Sequence, residues 1–143
     1  MAQLRNVMTT DVKAVAADAT AQEAAGFMLS ANTGSIPVTE NERVIGMITD
    51  RDIAVRGVAE GKGPDCSVRD LMSENVVCAR DTDDVLAVAQ RMSDAQVRRL
   101  PVVDGDDRLV GMVSLGDLSR EEQDSAAATA LEGVSQPGGS HQQ

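Results

Sequence analysis

The chain has no tryptophan and no tyrosine, and Phe27 is its only aromatic residue. The core and any ligand pocket must therefore be walled by Val, Leu, Ile, Met and Ala. Stacking of bases on aromatic rings is excluded. Histidine is as scarce: the single one, His141, falls in a Gly/Ser/Gln-rich end. With two cysteines, Cys66 and Cys78, the inventory assembles neither a zinc-ligand set nor a Cys-His catalytic pair. No Walker-type loop or nucleophile–base pair is legible, so no enzyme is expected. The first residues lead into no long apolar run, so no signal peptide is expected and the thiols read as reduced. No apolar stretch is long enough to span a bilayer, which makes the cytoplasm the expected location. Positive charge is in short supply too. Thirteen Lys and Arg face 23 Asp and Glu, for a net charge of −10. Such a field repels phosphate backbones and anionic membranes, so neither nucleic acid nor membrane is an expected partner.

What the chain does have is a repeat. Ile36-Pro37-Val38, a turn and Val44-Ile45-Gly46-Met47-Ile48-Thr49-Asp50-Arg51-Asp52 recur as Leu100-Pro101-Val102, a turn and Leu109-Val110-Gly111-Met112-Val113-Ser114-Leu115-Gly116-Asp117. Upstream, Val7-Met8-Thr9 echoes Leu71-Met72-Ser73. Units this short rarely bury a core alone, and two stacked copies create a cleft between them.

Periodicity and punctuation give each copy the order strand, helix, strand, strand, helix. Strands are expected at Val12–Val15 and Asn75–Ala79. Thr20-Ala21-Gln22-Glu23 reads as a capping box opening a helix with Ala21, Ala24, Ala25 and Met28 on one face. The second copy's helix, Asp84–Asp94, turns Val85, Val88, Ala89 and Met92 to one side. Hairpins are expected around Glu40-Asn41-Glu42 and Asp104-Gly105. Thr49 and Ser114 open the final helix of each copy, the first ending near Gly57. The division is repeat 1 over 1–60, a Gly/Pro linker over 61–66, repeat 2 over 67–122 and a flexible tail over 123–143.

The chemistry concentrates in Gly46-x-x-Thr49-x-x-Asp52 and Gly111-x-x-Ser114-x-x-Asp117. Each hydroxyl arrives at a helix start, where free amides and the helix dipole favour an anion such as phosphate. Each carboxylate can accept from both hydroxyls of a ribose. The glycine reads as leaving room for a ligand against the strand backbone. Thr or Ser followed three residues later by Asp is also an ordinary helix cap. The two roles can coexist, and recurrence of the whole pattern favours binding.

These motifs resemble those of tandem CBS domains, the cystathionine-β-synthase-type repeat whose pairs are called Bateman modules. The likeness covers roughly residues 5–120. It implies an α+β fold of two βαββα repeats packed as a pseudo-two-fold pair, sheet to sheet with helices outside, and assembly into a homodimer. It implies a stand-alone regulatory module that senses an adenosyl ligand in clefts between the repeats and acts on a regulated partner protein. AMP, ADP or ATP stand foremost among ligands, with S-adenosylmethionine or NAD as alternatives, and no cofactor is required. A ligand-independent dimerisation module is the other reading. Carried over by position, one cleft would use Thr9, Ala14, Thr33, Ser35, Pro37 and Arg98 with Met112, Ser114 and Asp117. The other would use Ser73, Cys78, Val97, Arg99 and Pro101 with Met47, Thr49, Arg51 and Asp52. The copies are unequal: Arg98-Arg99 stands where the first copy has Gly34-Ser35, and Leu115 where it has Asp50. Phosphorylated ligands are therefore expected to fill the Ser114/Asp117 cleft first.

Overall fold

The computed structural model describes residues 2–118; the expected tail over 123–143, with His141, lies outside them. The described chain divides into two compact units. One is continuous, residues 13–76; the other joins 2–12 to 77–118. Each carries its own three-stranded sheet, so the α+β reading with two separate sheets holds.

In the continuous unit β1 (Val15–Ala16) runs parallel to β2 (Ser35–Glu40), which pairs antiparallel with β3 (Arg43–Thr49). A parallel pair needs a crossover, and α1 (Ala21–Ala31) supplies it. The Thr20 hydroxyl caps α1 by accepting from the Glu23 amide at 3.1 Å. The hydroxyl also donates to the Glu23 carboxylate at 3.2 Å. Of the expected apolar face, Ala21, Ala24 and Met28 are buried while Ala25 is exposed. The helix stops at Asn32, whose φ of 52° puts it in the left-handed region that ends helices. The β2–β3 turn is Asn41-Glu42, with φ of 53° and 68°, the two left-handed residues of a tight hairpin. After β3 the chain coils through α2 (Asp50–Asp52), a π-helical turn (Ile53–Gly57) and a 3-10 turn (Val58–Glu60). The helix thus passes Gly57, its expected end, and stops at Gly61, φ 78°.

The second unit repeats this order. Its elements are β4 (Ala79–Arg80), α3 (Val85–Ala95), β5 (Arg99–Val103), β6 (Leu109–Ser114) and a helical start over 115–118, here α4. Asp84 caps α3 through the Ala87 amide at 3.2 Å. Val85, Val88, Ala89 and Met92 are buried as the sequence predicts. The β5–β6 turn is longer than Asp104-Gly105. Asp104 Oδ1 accepts from the amides of Asp106 at 2.8 Å and Arg108 at 3.0 Å, which extends the turn to Arg108.

Both first strands are shorter than expected, and the prolines explain why. Met47 exchanges both backbone hydrogen bonds with Ser73, so its cross-strand partner Pro37 directs its backbone away from β3, towards β1. Proline has no N–H to offer there. Pairing with β1 begins one residue later, at Val38 opposite Val15. Met112 likewise exchanges bonds with Thr9, and the parallel pairing starts at Val102 opposite Ala79, just past Pro101.

These exchanges give the echoed segments their job. Residues 71–73 clip to the free edge of β3, and residues 7–9 clip to β6. Leu4 is wholly buried among Ala79, Val85, Leu100 and Leu118. Val68 and Leu71 enter the core of Val15, Ile36, Val38 and Ile48 in the same way. Leu4, ahead of the first repeat's strands, is therefore core of one unit, and Val68 and Leu71, from the stretch assigned to repeat 2, are core of the other.

The clips correct the reading of the motif glycines. A Cβ on Gly46 would lie 2.7 Å from the Ser73 carbonyl oxygen, and one on Gly111 2.7 Å from that of Thr9. The close neighbour is the chain's own backbone, not a ligand. By contrast, a Cβ on Gly26, in the exposed middle of α1, meets nothing within 4 Å.

Two outcomes follow for denaturant unfolding. Gly46→Ala and Gly111→Ala each lower stability by about 1–3 kcal/mol, because a carbonyl cannot step aside as a side chain would. Gly26→Ala raises it by about 0.5–1 kcal/mol, through helix propensity alone. A third outcome concerns acid. Asp104 is held below its ordinary carboxyl value of 3.8, first by the Arg108 amide and then, against slight burial, by the Asp106 amide and the charges of Arg108 and Arg80. Its stabilisation is fully present above pH 3.8 and disappears as pH falls through the lowered value. Asp104→Asn should therefore be less stable than wild type at neutral pH, with the gap closing below pH 3.8 in pH-dependent thermal melts.

Candidate functional site

The two helix starts share one geometry. Thr49, the last residue of β3, accepts from the Asp52 amide through its hydroxyl at 3.0 Å, and Asp52 Oδ2 accepts from the Thr49 amide at 3.0 Å. In the other unit Ser114 Oγ accepts from the Asp117 amide at 3.3 Å, and Asp117 Oδ2 accepts from the Ser114 amide at 2.9 Å. Capping is thus real in both copies, and it occupies one carboxylate oxygen of each. A hydroxyl that accepts from an amide still has its own proton to donate.

The carboxylates are unusually deep. Asp52 is 1% exposed and Asp117 6%, beside a Thr49 that is 5% exposed. Asp52 Oδ1 is buried with no hydrogen-bond partner among the described residues. Its nearest cation is the Arg56 guanidinium, 4.0 Å away and not hydrogen-bonded to it. A buried charged oxygen left without a donor is costly, and in a native fold it calls for an explanation.

Register sets what lies beside each start. Ser35 stands opposite Thr49, and Arg99 opposite Ser114. The Asp50 amide donates to the Gly34 carbonyl at 2.9 Å, and the Leu115 amide to that of Arg98 at 3.3 Å. The unequal residues therefore sit side by side within their own units. A Cβ on Gly34 would lie 2.8 Å from an Asp50 carboxylate oxygen, so the Asp50 side chain lies directly over Gly34. Where the second copy has leucine for the acid, arginine takes the glycine's place. Asp50 also accepts from the Arg51 amide at 2.8 Å.

Every expected residue lies within the described chain. Of the set around the second motif, Thr9, Arg98, Met112, Ser114 and Asp117 belong to one unit, and Ala14, Thr33, Ser35 and Pro37 to the other. Of the set around the first motif, Met47, Thr49, Arg51, Asp52 and Ser73 fall together, while Cys78, Val97, Arg99 and Pro101 fall in the second unit. Each set therefore draws on both units. Pro37, Met47, Val97 and Pro101 are buried; Met112 and Ser114 are half-buried; Thr9, Arg51 and Arg98 are exposed. Thr33 folds its hydroxyl onto the Ser35 backbone, donating to the carbonyl at 3.2 Å. Cys78 lines a recess of about 300 Å³ with Arg80, Asp83, Arg91 and Asp107. Burial, aided by the Asp107 charge, pushes its thiol up from 9.0, so it stays protonated and weakly nucleophilic at neutral pH. Both cysteines are free thiols.

One residue was overlooked by the motif. Arg56 donates through Nη1 to the carbonyls of Leu71 at 3.2 Å and Met72 at 3.1 Å while its Nε faces Asp52. The signal was present as Asp52-x-x-x-Arg56, the four-residue spacing of a helical ion pair. Among the described residues, no group of three or more His, Cys, Asp or Glu side chains is placed to hold a metal ion. Nor is any helix among them long and apolar enough to cross a membrane.

Known proteins share this architecture. YhcV of Bacillus subtilis, a CBS domain-containing protein, is 40% identical over 136 residues, covering 94% of this chain and 96% of its own. The crystal structure of Hypoxic Response Protein I with two coordinated zinc ions superposes with a TM-score of 0.77 at 30% identity, covering 84% of this chain and 98% of that one. The CBS domain pair of protein MJ0100, in complex with 5′-methylthioadenosine and S-adenosyl-L-methionine, superposes with a TM-score of 0.72 at 26% identity, covering 84% and 94%. The CBS domain family model matches twice, over residues 4–57 and 68–124, each match taking in one Gly-x-x-Thr/Ser-x-x-Asp motif with its hairpin and preceding helix. The chain belongs to the CBS domain family and carries two copies of its repeat.

Proposed function

We propose that this protein is a regulatory module, not an enzyme, that binds an adenosyl ligand through the hydroxyl and carboxylate of its two repeated helix starts. The observation that carries the reading is the buried Asp52 Oδ1, which lacks a hydrogen-bond donor while its sister oxygen caps the helix. A ribose hydroxyl is the kind of donor that would satisfy it. Asp117, which caps its own helix start through one oxygen, is the corresponding carboxylate of the second unit. The hydroxyls of Thr49 and Ser114 accept from amides and keep a proton for an oxygen of the ligand's phosphate or carboxylate. With Phe27 the only aromatic residue, aliphatic side chains take the place of aromatic rings around the base.

AMP, ADP and ATP are the foremost ligands, with S-adenosylmethionine and NAD behind them. The MJ0100 pair, bound to two adenosyl compounds, supports this class. Phosphorylated ligands should prefer the Ser114 start. Arg98 is exposed beside it, whereas Asp50 places a carboxylate against Gly34 at the Thr49 start. The module is proposed to work in the cytoplasm as a homodimer that reports occupancy to a partner protein. Leu29, 85% exposed, and Val58, 71% exposed, supply apolar surface that a second copy would cover.

Titration calorimetry with AMP, ATP, 5′-methylthioadenosine and S-adenosylmethionine tests the reading. At least one should bind, and Asp117→Asn, shown to be folded by thermal melting, should weaken the tighter phosphorylated ligand about ten- to a hundredfold. Absence of binding by all four, or an unchanged titration in both Asp52→Asn and Asp117→Asn, overturns it.

A further inference from the structure

We infer that Arg56 is a positioning residue for the adenosyl site of the continuous unit: its charge holds and aims the Asp52 carboxylate without occupying the oxygen the ligand needs. This rests on the adenosyl reading above.

The geometry separates two things that usually come together. An arginine beside a carboxylate normally forms a forked pair and so consumes its acceptor sites. Here Nε stands 4.0 Å from Oδ1, beyond hydrogen-bond reach yet close enough for attraction between charges. The guanidinium is held back because Nη1 is committed to the carbonyls of Leu71 and Met72. Asp52 thus receives the charge of Arg56 and none of its hydrogen bonds. Oδ1, in a residue 1% exposed, remains a buried acceptor without a donor.

The same two carbonyls tie the device to the strand clip. Leu71 and Met72 lead directly into Ser73, which exchanges both backbone bonds with Met47. Leu71 also packs against Gly57, where a Cβ would meet its Cδ1 at 3.5 Å. One side chain therefore fixes the helix that carries Asp52 relative to the segment that carries Ser73. Arg56 sits within the π-helical turn Ile53–Gly57, a rare form that recurs at functional positions. The arginine is not repeated. Four residues beyond Asp117 the sequence has Glu121, so the second motif serves as an internal control.

The test is a double-mutant cycle read by calorimetry with AMP and with 5′-methylthioadenosine, on the full chain. Arg56→Gln should weaken the binding step that Asp52→Asn weakens, by about tenfold, and leave the Asp117-dependent step unchanged. In the Asp52→Asn background, Arg56→Gln should change affinity by less than about twofold, since its target is gone. Arg56→Lys, which keeps the charge, should recover most of the loss and serves as the folded comparison if Arg56→Gln melts early. Equal effects of Arg56→Gln in both backgrounds, or no recovery by lysine, overturn the inference and leave the adenosyl reading standing. An Asp52→Asn variant that binds both ligands as wild type does removes the adenosyl reading at this site and the inference with it.

Discussion

Both units depend on a pair of backbone hydrogen bonds that a β-carbon would prevent. Ser73 lies against Met47, and Thr9 against Met112, with the adjoining glycine leaving the carbonyl room to approach. From this contact much else follows. The clip uses both backbone groups of the methionine, which turns the backbone of the opposite proline away towards the first strand. Proline has nothing to donate on that side, so the first strand shrinks to two paired residues. The buried apolar residues next to the clips, Leu4 in one unit and Val68 and Leu71 in the other, then complete the cores.

The helix starts show how a residue pair can cap a helix and still leave a carboxylate oxygen outside the cap, as the proposed binding role requires. A carboxylate has two oxygens, and the cap needs only one. Had Asp52 capped with both, it would be a structural residue and no more. Had it capped with neither, the turn from β3 into α2 would lose a reciprocal pair of hydrogen bonds. On the proposed reading, a division of labour between Oδ1 and Oδ2 is what suits Asp to the position. An alanine there would lose the cap and the acceptor at once, whereas asparagine keeps the shape and loses the charge.

Much of the fold was legible because its signals are local. Thr20 caps the helix it was read to cap, and the face Val85, Val88, Ala89 and Met92 is the buried one. Two left-handed residues at Asn41-Glu42 make the hairpin that the flanking strands implied. What escaped was non-local. The echo of Val7-Met8-Thr9 in Leu71-Met72-Ser73 was visible, but nothing within either tripeptide says which strand it will pair with. The motif glycines were read as space for a ligand because their true neighbours, Thr9 and Ser73, are 102 and 27 residues away in the chain. Ala25 was assigned to the buried face, yet it is exposed, whereas Ala89 at the matching position of the equally long α3 is buried. The π-turn has no composition cue, and with it went Arg56, whose partners are fixed by a segment 15 and 16 residues further on.

The exchange of segments also bears on the order in which the molecule comes into being. A ribosome releases the chain from its first residue onward, and domains gain structure as their parts emerge. The unit over 13–76 is continuous, so every strand and its clip exist once Val76 has been made. The other unit cannot close then. Leu4 and Thr9 are synthesised first, yet the residues they pack on and bond to, from Ala79 to Leu118, are synthesised last. The nascent chain must therefore carry an unpaired strand and an unburied leucine past a finished neighbour until its own half arrives. It also follows that cutting the chain between the repeats would not yield two working halves, since each would leave with the other's clip.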